Sequence, residues 1–233
     1  MPWKRKARRI LGRAGRYVRR ARKAVDRRQN RDIALLKRAV RWGKESKYVD
    51  QQLQTSIGTT WTNILTRDLT YIPEGTTDNT RIGNKIKIFR HQIKVVVTCG
   101  DLTNLYRILV IRFHNCPTAS VTAGNVLENY NNTTPFQLMG FFRRNAPSQY
   151  NILYDSGVRT IAGNYQVDVS PASSATQKSH NIILKNKKGW IVQYSNANAN
   201  SVVNGFTYVL AVSDSSIAPS VGFQTMSRTI FQG

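Results

Sequence analysis

The sequence predicts an all-β body preceded by a basic N-terminal arm, and three observations support this prediction. The 233 residues are 40% hydrophobic and 20% charged, which is enough apolar material for a core and excludes disorder throughout. After Asp50, residues that favour strands alternate with short clusters of Gly, Asn, Asp, Ser and Pro, as in strands joined by turns. The formal net charge is +23, so a polyanionic partner is expected.

Most of the excess positive charge lies in the first fifth of the chain. Residues 1–47 contain 19 Lys and Arg against 3 acids, a net +16, whereas residues 48–233 contain 16 against 9, a net +7. Because such a segment repels itself until phosphates neutralise it, residues 1–47 are predicted to form an arginine-rich nucleic-acid-binding arm, disordered or helical. The predicted nucleic-acid-binding residues of the arm are Lys4, Arg5, Lys6, Arg8, Arg9, Arg13, Arg16, Arg19, Arg20, Arg22, Lys23, Arg27, Arg28 and Arg31.

The last part of the arm, residues 31–42, has the apolar period of a helix. Ile33, Leu36 and Val40 recur at i, i+3 and i+7. This stripe fits packing on a core or on a partner, and a helix on a membrane surface is the alternative. The cluster Lys4–Arg9 also fits a nuclear-import signal, so a nuclear import receptor is a further predicted partner.

The body, residues 48–233, is expected to contain eight or nine strands. Eight strands in about 180 residues, with several long connections, favour a two-sheet jelly roll over a lipocalin-like barrel. An immunoglobulin-like fold is less favoured because the Cys–Trp–Cys spacing is absent. The candidate segments, some of which are expected to merge, are Ser56–Ile72, Lys85–Thr98, Leu105–His114, Phe136–Phe141, Tyr150–Ala162, Tyr165–Ser170, Lys178–Lys185, Trp190–Tyr194, Gly205–Ser213 and Val221–Phe231.

Three of these segments have informative patterns. In Gly205–Asp214 the side chains alternate as in a strand with one buried face. Between Lys85 and Val97 the alternation changes phase, and a bulge or break near Phe89–Gln92 explains the change. Tyr106–Phe113 is apolar on both faces, so its second face must be covered by another element or by another copy of the chain.

A second group of cations lies in the body. Lys85 and Lys87 project together from the face opposite the apolar residues of their strand, with Arg81 upstream and Arg90 downstream and no acid between them. A cluster of like charges is favourable mainly where a polyanion offsets it. Arg81, Lys85 and Lys87 are therefore predicted to meet nucleic acid or an acidic loop of another subunit. A solvated strand edge protected by its charge is the alternative.

The sequence lacks recognisable motifs for catalysis or cofactor binding. The three histidines, His91, His114 and His180, have no metal-ligand spacing, and no phosphate-binding loop, nucleophile elbow or dinucleotide fingerprint occurs. Cys99 and Cys116 are too few for a disulfide scaffold or a four-thiolate zinc site. No apolar run reaches the roughly 18 residues of a membrane span. We expect no enzymatic activity, no cofactor, no bound metal and no membrane insertion. The alternative for the metal is a calcium site at a subunit boundary, to which Asp78, Asp101, Asp155 and Asp214 would contribute, although turn formation and capping explain these residues better.

Three segments of the body carry a resemblance to a known family. They are Gly75–Ile86 (GTTDNTRIGNKI), Tyr106–Phe113 (YRILVIRF) and Ser220–Phe231, which ends in SRTIF. Together with the arm, they resemble capsid proteins of small icosahedral viruses, above all circular single-stranded DNA (circovirus-like) viruses, and also plant satellite-virus capsids. In that family the segments look like the connection between the first two long strands, the next core strand and the closing strand.

The resemblance implies a capsid protein that self-assembles into a small icosahedral shell, with 60 copies in a T=1 particle. Residues 48–233 would form the jelly-roll shell domain, and the arms would package single-stranded nucleic acid, DNA being favoured over RNA. The implied locations are the virion and, during assembly, the host nucleus. A cellular basic nucleic-acid-binding β-sandwich protein is the alternative, and an enzyme with an unrecognised site is the third hypothesis.

Overall fold

The computed structural model describes residues 26, 29–34, 46–100, 103–114, 126–128, 136–143, 149–162, 176–215 and 220–233. The chain divides into two compact units, Met1–Glu45 and Ser46–Gly233. In the first unit the described residues are helical and exposed. The second unit contains all the strands of the described residues.

The second unit is built from short and long strands with one helical turn. In the described residues the strands are β1 (Lys47–Ile57), β2 (Thr62–Asn63), β3 (Lys85–Thr98), β4 (Thr103–Phe113), β5 (Tyr150–Asp155), β6 (Arg159–Ala162), β7 (Gln177–Tyr194), β8 (Val202–Asn204), β9 (Thr207–Ser213) and β10 (Val221–Gln232), and the helical turn is Phe136–Met139.

The strands form two sheets in which the pairs of neighbouring strands are antiparallel. The first sheet has the order β1-β10-β3-β7-β8, and the second has the order β2-β9-β4-β5 with β6 also paired to β4. Both β5 and β6 pair with β4, so they act as one interrupted strand. The short β8 pairs with β7 at the edge of the first sheet. The first and last strands are neighbours, and the chain crosses repeatedly between the sheets. This is a jelly roll, so the predicted all-β fold is confirmed.

The predicted change of phase in β3 is confirmed and is a bulge at Phe89. The pairing of β3 with both β7 and β10 shifts its register at this residue. One extra residue reverses the side-chain alternation, so the strand buries apolar side chains on both sides of the bulge. Those side chains are Ile86, Ile88, Ile93, Val95 and Val97.

The two central strands of the second sheet, β4 and β9, are buried on both faces. On β4, Ile108 and Val110 pack in one cluster with apolar residues of β3 and β10, and Leu109 and Ile111 pack in another. The second cluster includes Val126, Leu127 and Leu138. The cover required over the second face of Tyr106–Phe113 is therefore supplied by the chain itself. The expected single buried face of Gly205–Asp214 is wrong, because the side chains of β9 on both faces enter these same clusters.

The first strand lies earlier than the sequence suggests. Ser56–Ile72 was expected to be a strand, but it holds only the end of β1 and the two residues of β2, and the rest forms turns and bends. The strand β1 (KYVDQQLQTSI) is mostly polar, so its alternation is weak in the sequence. Lys47, grouped with the arm by its charge, is the buried first residue of β1, and its ammonium donates to the carbonyl of Thr77.

Four other expected segments differ from the structure or lie outside it. Phe136–Phe141 is not a strand, because residues 136–139 form the helical turn. Lys178–Lys185 and Trp190–Tyr194 are parts of one strand, β7. Tyr165–Ser170 lies outside the described residues.

Candidate nucleic-acid interface

Most of the predicted ligands in the arm lie outside the described residues. Arg31 is the exception, and it is an exposed residue of the helical stretch 29–34. The residues outside the described part of the chain are Lys4, Arg5, Lys6, Arg8, Arg9, Arg13, Arg16, Arg19, Arg20, Arg22, Lys23, Arg27 and Arg28.

Arg81 must be removed from the predicted set, because its side chain is completely buried. Its guanidinium donates to the carbonyls of Ile72, Gly83 and Asn196. The guanidinium also stacks on the ring of Tyr194, 3.9 Å from the centroid. A guanidinium with these partners has no exposed donor for a phosphate, so Arg81 has a structural role.

Lys85 and Lys87 lie where the sequence predicts, outside the core. Both are exposed, and they alternate with the buried Ile86 and Ile88 on β3. They therefore project from the outer face of the first sheet, the face directed away from the second sheet.

The strand pairing brings more cations to this outer face. On β3, Arg90 and Lys94 follow Lys87 after the bulge, and Arg90 is paired in register with Lys185 of β7. Neighbouring strands are about 4.8 Å apart, so cations on β3 and β7 form one continuous group. Sequence reasoning left Lys185 out because only the pairing of β3 with β7 brings it to this face.

An insertion in β7, next to Lys185, leaves two further lysines exposed. Lys185 is paired with Arg90 and Trp190 with Ile88, so residues 186–189 stand opposite Phe89 alone. Gly189 closes the insertion with a φ of 78°, and a β-carbon there would lie 3.2 Å from the ring of Phe89. The exposed lysines are Lys187 and Lys188. The run NKKG is the sequence signal for this insertion.

We call the group Lys85, Lys87, Arg90, Lys94, Lys185, Lys187 and Lys188 the basic face. Among the described residues, no carboxylate forms an ion pair with any of them. In the described strands of this sheet the one acidic residue is Asp50, which lies on the outer face. Both of its carboxylate oxygens accept hydrogen bonds from Arg228, at 2.8 and 2.7 Å. These bonds hold the pKa of Asp50 below its ordinary value. The basic face therefore keeps an uncompensated positive charge.

Apolar side chains are interspersed with these cations. Ile183 and Ile191 of β7, Met226 of β10 and Tyr48 of β1 are each more than two-fifths exposed on the same outer face. Cations bind phosphates, while exposed apolar and aromatic surface accepts the faces of unpaired bases. The arrangement therefore suits single-stranded nucleic acid.

Two of the three histidines of the body, His91 and His180, have structural contacts. His91 is buried against Trp190, and its Nδ1 lies 2.9 Å from the hydroxyl of Thr229. His180 lies 2.7 Å from the hydroxyl of Tyr106 and so links the two sheets. The part of the chain that the structure describes contains no cluster of three or more potential metal ligands. It also contains no helix long and apolar enough to cross a membrane.

Comparison with known proteins finds similarity at the level of solved structures. No protein-family model matches the chain, and no curated protein matches it. Among solved structures, the chain is similar to the crystal structure of the 60-mer BFDV capsid protein, with 10% identity and a TM-score of 0.33 over 80% of this chain and 90% of that one. Because this TM-score is low, the jelly-roll assignment rests on the strand order.

Proposed function

We propose that this protein is the structural subunit of a small icosahedral capsid and packages single-stranded nucleic acid. The observation that carries this proposal is the combination, in one chain, of a jelly-roll body with an arm of net charge +16. Viral capsid domains use the jelly roll, and an arginine-rich arm supplies a contact to phosphates that does not depend on sequence. The basic face adds a second positive surface on the body itself.

The charges set the scale of packaging. In a T=1 shell, 60 arms carry about a thousand positive charges, enough to neutralise a comparable number of phosphates. Tethering the arms inside a closed shell raises their effective concentration, so individually weak contacts suffice. The role is structural rather than enzymatic and needs no cofactor.

The proposed location is the virion, with passage through the host nucleus during assembly. The cluster Lys4–Arg9 would bind a nuclear import receptor before the arm meets the genome. DNA is favoured over RNA as the packaged strand, following the resemblance of the chain to circovirus-like capsid proteins.

The second candidate is a cellular nucleic-acid-binding protein with a basic tail. The basic face favours it, because this face would bind nucleic acid on an isolated monomer without any shell. This candidate predicts a monomer or a small oligomer.

Negative-stain electron microscopy of the purified full chain separates the two candidates. Shells of one diameter are expected, and a strictly monomeric protein that binds nucleic acid would instead support the cellular role. Deletion of residues 1–45, which spares β1, should lower the ratio of absorbance at 260 and 280 nm. Equal nucleic-acid content with and without the arm would contradict packaging by the arm.

A further inference from the structure

Phe141 is the most exposed large apolar residue of the described chain, with 82% of its surface accessible. Met139, two residues earlier, is 57% exposed. Single exposed apolar residues are common on protein surfaces. The unusual feature here is how firmly the backbone that carries this ring is held.

A buried arginine fixes the backbone beside Phe141. The Nη1 of Arg107 donates to the carbonyls of Leu138 and Gly140, at 2.8 and 3.1 Å. On the other side, the carbonyl of Phe141 accepts the amide of Glu128 at 2.7 Å. An aromatic ring presented on an ordered backbone loses little conformational entropy on binding, as is typical of the anchor residues of protein interfaces.

A groove of about 380 Å³ lies elsewhere on the same unit, between β1 and residues 66–79. Its walls are ordered, since the amide of Tyr48 donates to the carbonyl of Asp78 and the hydroxyl of Thr66 to the carbonyl of Gln52. The groove is lined by Val49, Asp50, Gln51, Thr66, Arg67, Tyr71, Pro73 and Asn79. Its volume exceeds that of a phenylalanine side chain, and Arg67 and Tyr71 offer a cation and an aromatic ring to the entering ring.

One carboxylate and one guanidinium near the two surfaces are complementary. The exposed Arg143 also lies near Phe141, and the carboxylate of Asp50 at the groove is already bonded to Arg228. Glu128 is exposed and lies beside Phe141 in the backbone hydrogen-bond pattern, and Arg67 is exposed at the groove. In its own chain Phe141 is open to solvent, so it does not fill this groove. A second copy of the chain can offer both the ring and the carboxylate.

We propose that Phe141 of one copy inserts into the groove between β1 and residues 66–79 of a neighbouring copy, with Glu128 facing Arg67. Because two different surfaces of one chain meet, the contact is head-to-tail and repeats from copy to copy until a ring or shell closes. The inference rests on the proposed capsid function and names the contact that would build the shell.

The ring is tested in the full chain with Phe141→Ala and Phe141→Asp. Assembly is measured by sedimentation velocity over a range of protein concentrations. Burial of a phenylalanine ring is worth at least tenfold in affinity, so the concentration needed for assembly should rise by about tenfold or more. Thermal unfolding should be unchanged, because the ring is exposed. Asn79→Trp fills the groove from an exposed position and should have the same effect.

The matched control is Val203→Ala, which removes an exposed apolar side chain from β8, at the edge of the first sheet opposite β1. It should leave assembly unchanged, and an equal loss in this variant would overturn the specific role of Phe141. The charge exchange gives an independent test. Glu128→Arg and Arg67→Glu should each weaken assembly, and the two together should restore it.

The outcomes distinguish this contact from the proposed function. Shells that persist in Phe141→Asp overturn the inference and leave the capsid function standing. Small oligomers without shells, lost in Phe141→Asp, support the contact and contradict the capsid. A wild-type chain that stays monomeric at every concentration overturns both. Loss of assembly in Asn79→Trp but not in Phe141→Ala would mean that the groove takes a different segment, which also overturns the inference.

Discussion

Arg81 and Tyr194 form a buried stack, with the guanidinium carbon 3.9 Å from the centroid of the ring. The arginine comes from the connection before β3, and the tyrosine ends β7. The hydroxyl of Tyr194 donates to the carbonyl of Thr70 at 2.7 Å, and burial raises the pKa of this phenol well above its ordinary value. The pair therefore holds the β2–β3 connection and the β7–β8 connection at the end of the first sheet.

Replacing Arg81 should destabilise the fold. Arg81→Ala leaves buried carbonyl oxygens without donors, and the free energy of unfolding should fall by about 3 kcal/mol. Arg81→Lys should also be destabilising, because an ammonium cannot reproduce the planar set of donors. Urea unfolding followed by tryptophan fluorescence measures both. Lys85→Ala, at an exposed site nearby, is the control, and an Arg81→Ala variant as stable as this control would contradict the structural role.

Two Arg–Asp pairs of similar geometry should differ in their importance. Arg107 contacts Asp155 at 3.0 and 2.7 Å and is almost buried, whereas the bidentate pair of Arg228 with Asp50 is about half exposed. Arg107→Ala also releases the carbonyls of Leu138 and Gly140, so unfolding should become easier by about 3 kcal/mol and binding of an apolar dye should rise. Arg228→Ala should change stability little.

The same experiment can contradict this expectation. If the two variants have equal stability, or if Arg107→Ala binds no additional dye, then Arg107 does not hold residues 138–140 over the second sheet. Asp155 provides a cross-check. Burial raises its pKa, but hydrogen bonds from Arg107 and the amide of Gly157 outweigh that effect, so the pKa lies below its ordinary value. Asp155→Asn should therefore also destabilise the fold near neutral pH.

Mild acid should destabilise the body through its buried histidines. Burial, with a smaller contribution from the charge of Arg112, lowers the pKa of His91 from 6.5 to about 3. Below pH 6.5 the imidazole of His91 binds a proton in the unfolded chain but not in the folded chain. The free energy of unfolding therefore falls as the pH falls from 6.5 towards 3. The loss approaches about 1.4 kcal/mol per pH unit for this residue. Burial lowers the pKa of His180 as well, and it acts in the same direction.

Unfolding free energies between pH 7.5 and 5 measure this dependence. Asp68, whose pKa is raised by burial, acts in the opposite direction, but it titrates in the wild type and in His91→Gln alike. His91→Gln removes one titrating group, so its stability should depend less steeply on pH, whatever its absolute value. An unchanged slope in His91→Gln would contradict the assignment.

The predictable parts of this protein are those set by local patterns. The bulge at Phe89 follows from a change of alternation within one strand, and the exposure of Lys85 and Lys87 follows from the same alternation. The strand β1 could not be predicted in this way because it offers few apolar side chains, and its position depends on pairing with β10 at the other end of the chain.

The unpredictable parts depend on residues far apart in sequence. From the sequence alone, Arg81 is interpreted as a surface cation. The carbonyl of Asn196, 115 residues away, completes the site that buries its side chain. Tyr106–Phe113 is apolar on both faces, which shows that a cover is needed but not that Val126, Leu127 and Leu138 provide it. Likewise, Lys185 joins the basic face only because β7 pairs with β3.

The last prediction concerns the contribution of the basic face to nucleic-acid binding. Lys85→Glu combined with Lys87→Glu should leave folding nearly intact, because both side chains lie outside the core. If each lysine neutralises one phosphate, the slope of log affinity against log salt for a single-stranded oligonucleotide should become shallower by about 1.4. The loss of affinity should be larger at low salt than at high salt. The matched control, Lys178→Glu with Arg159→Glu, makes the same change of charge at exposed sites away from the basic face. If the two double variants have equal salt slopes, the basic face acts only through the net charge of the protein. If Lys85→Glu with Lys87→Glu has the same slope as the wild type, the two lysines face solvent and do not contact phosphates.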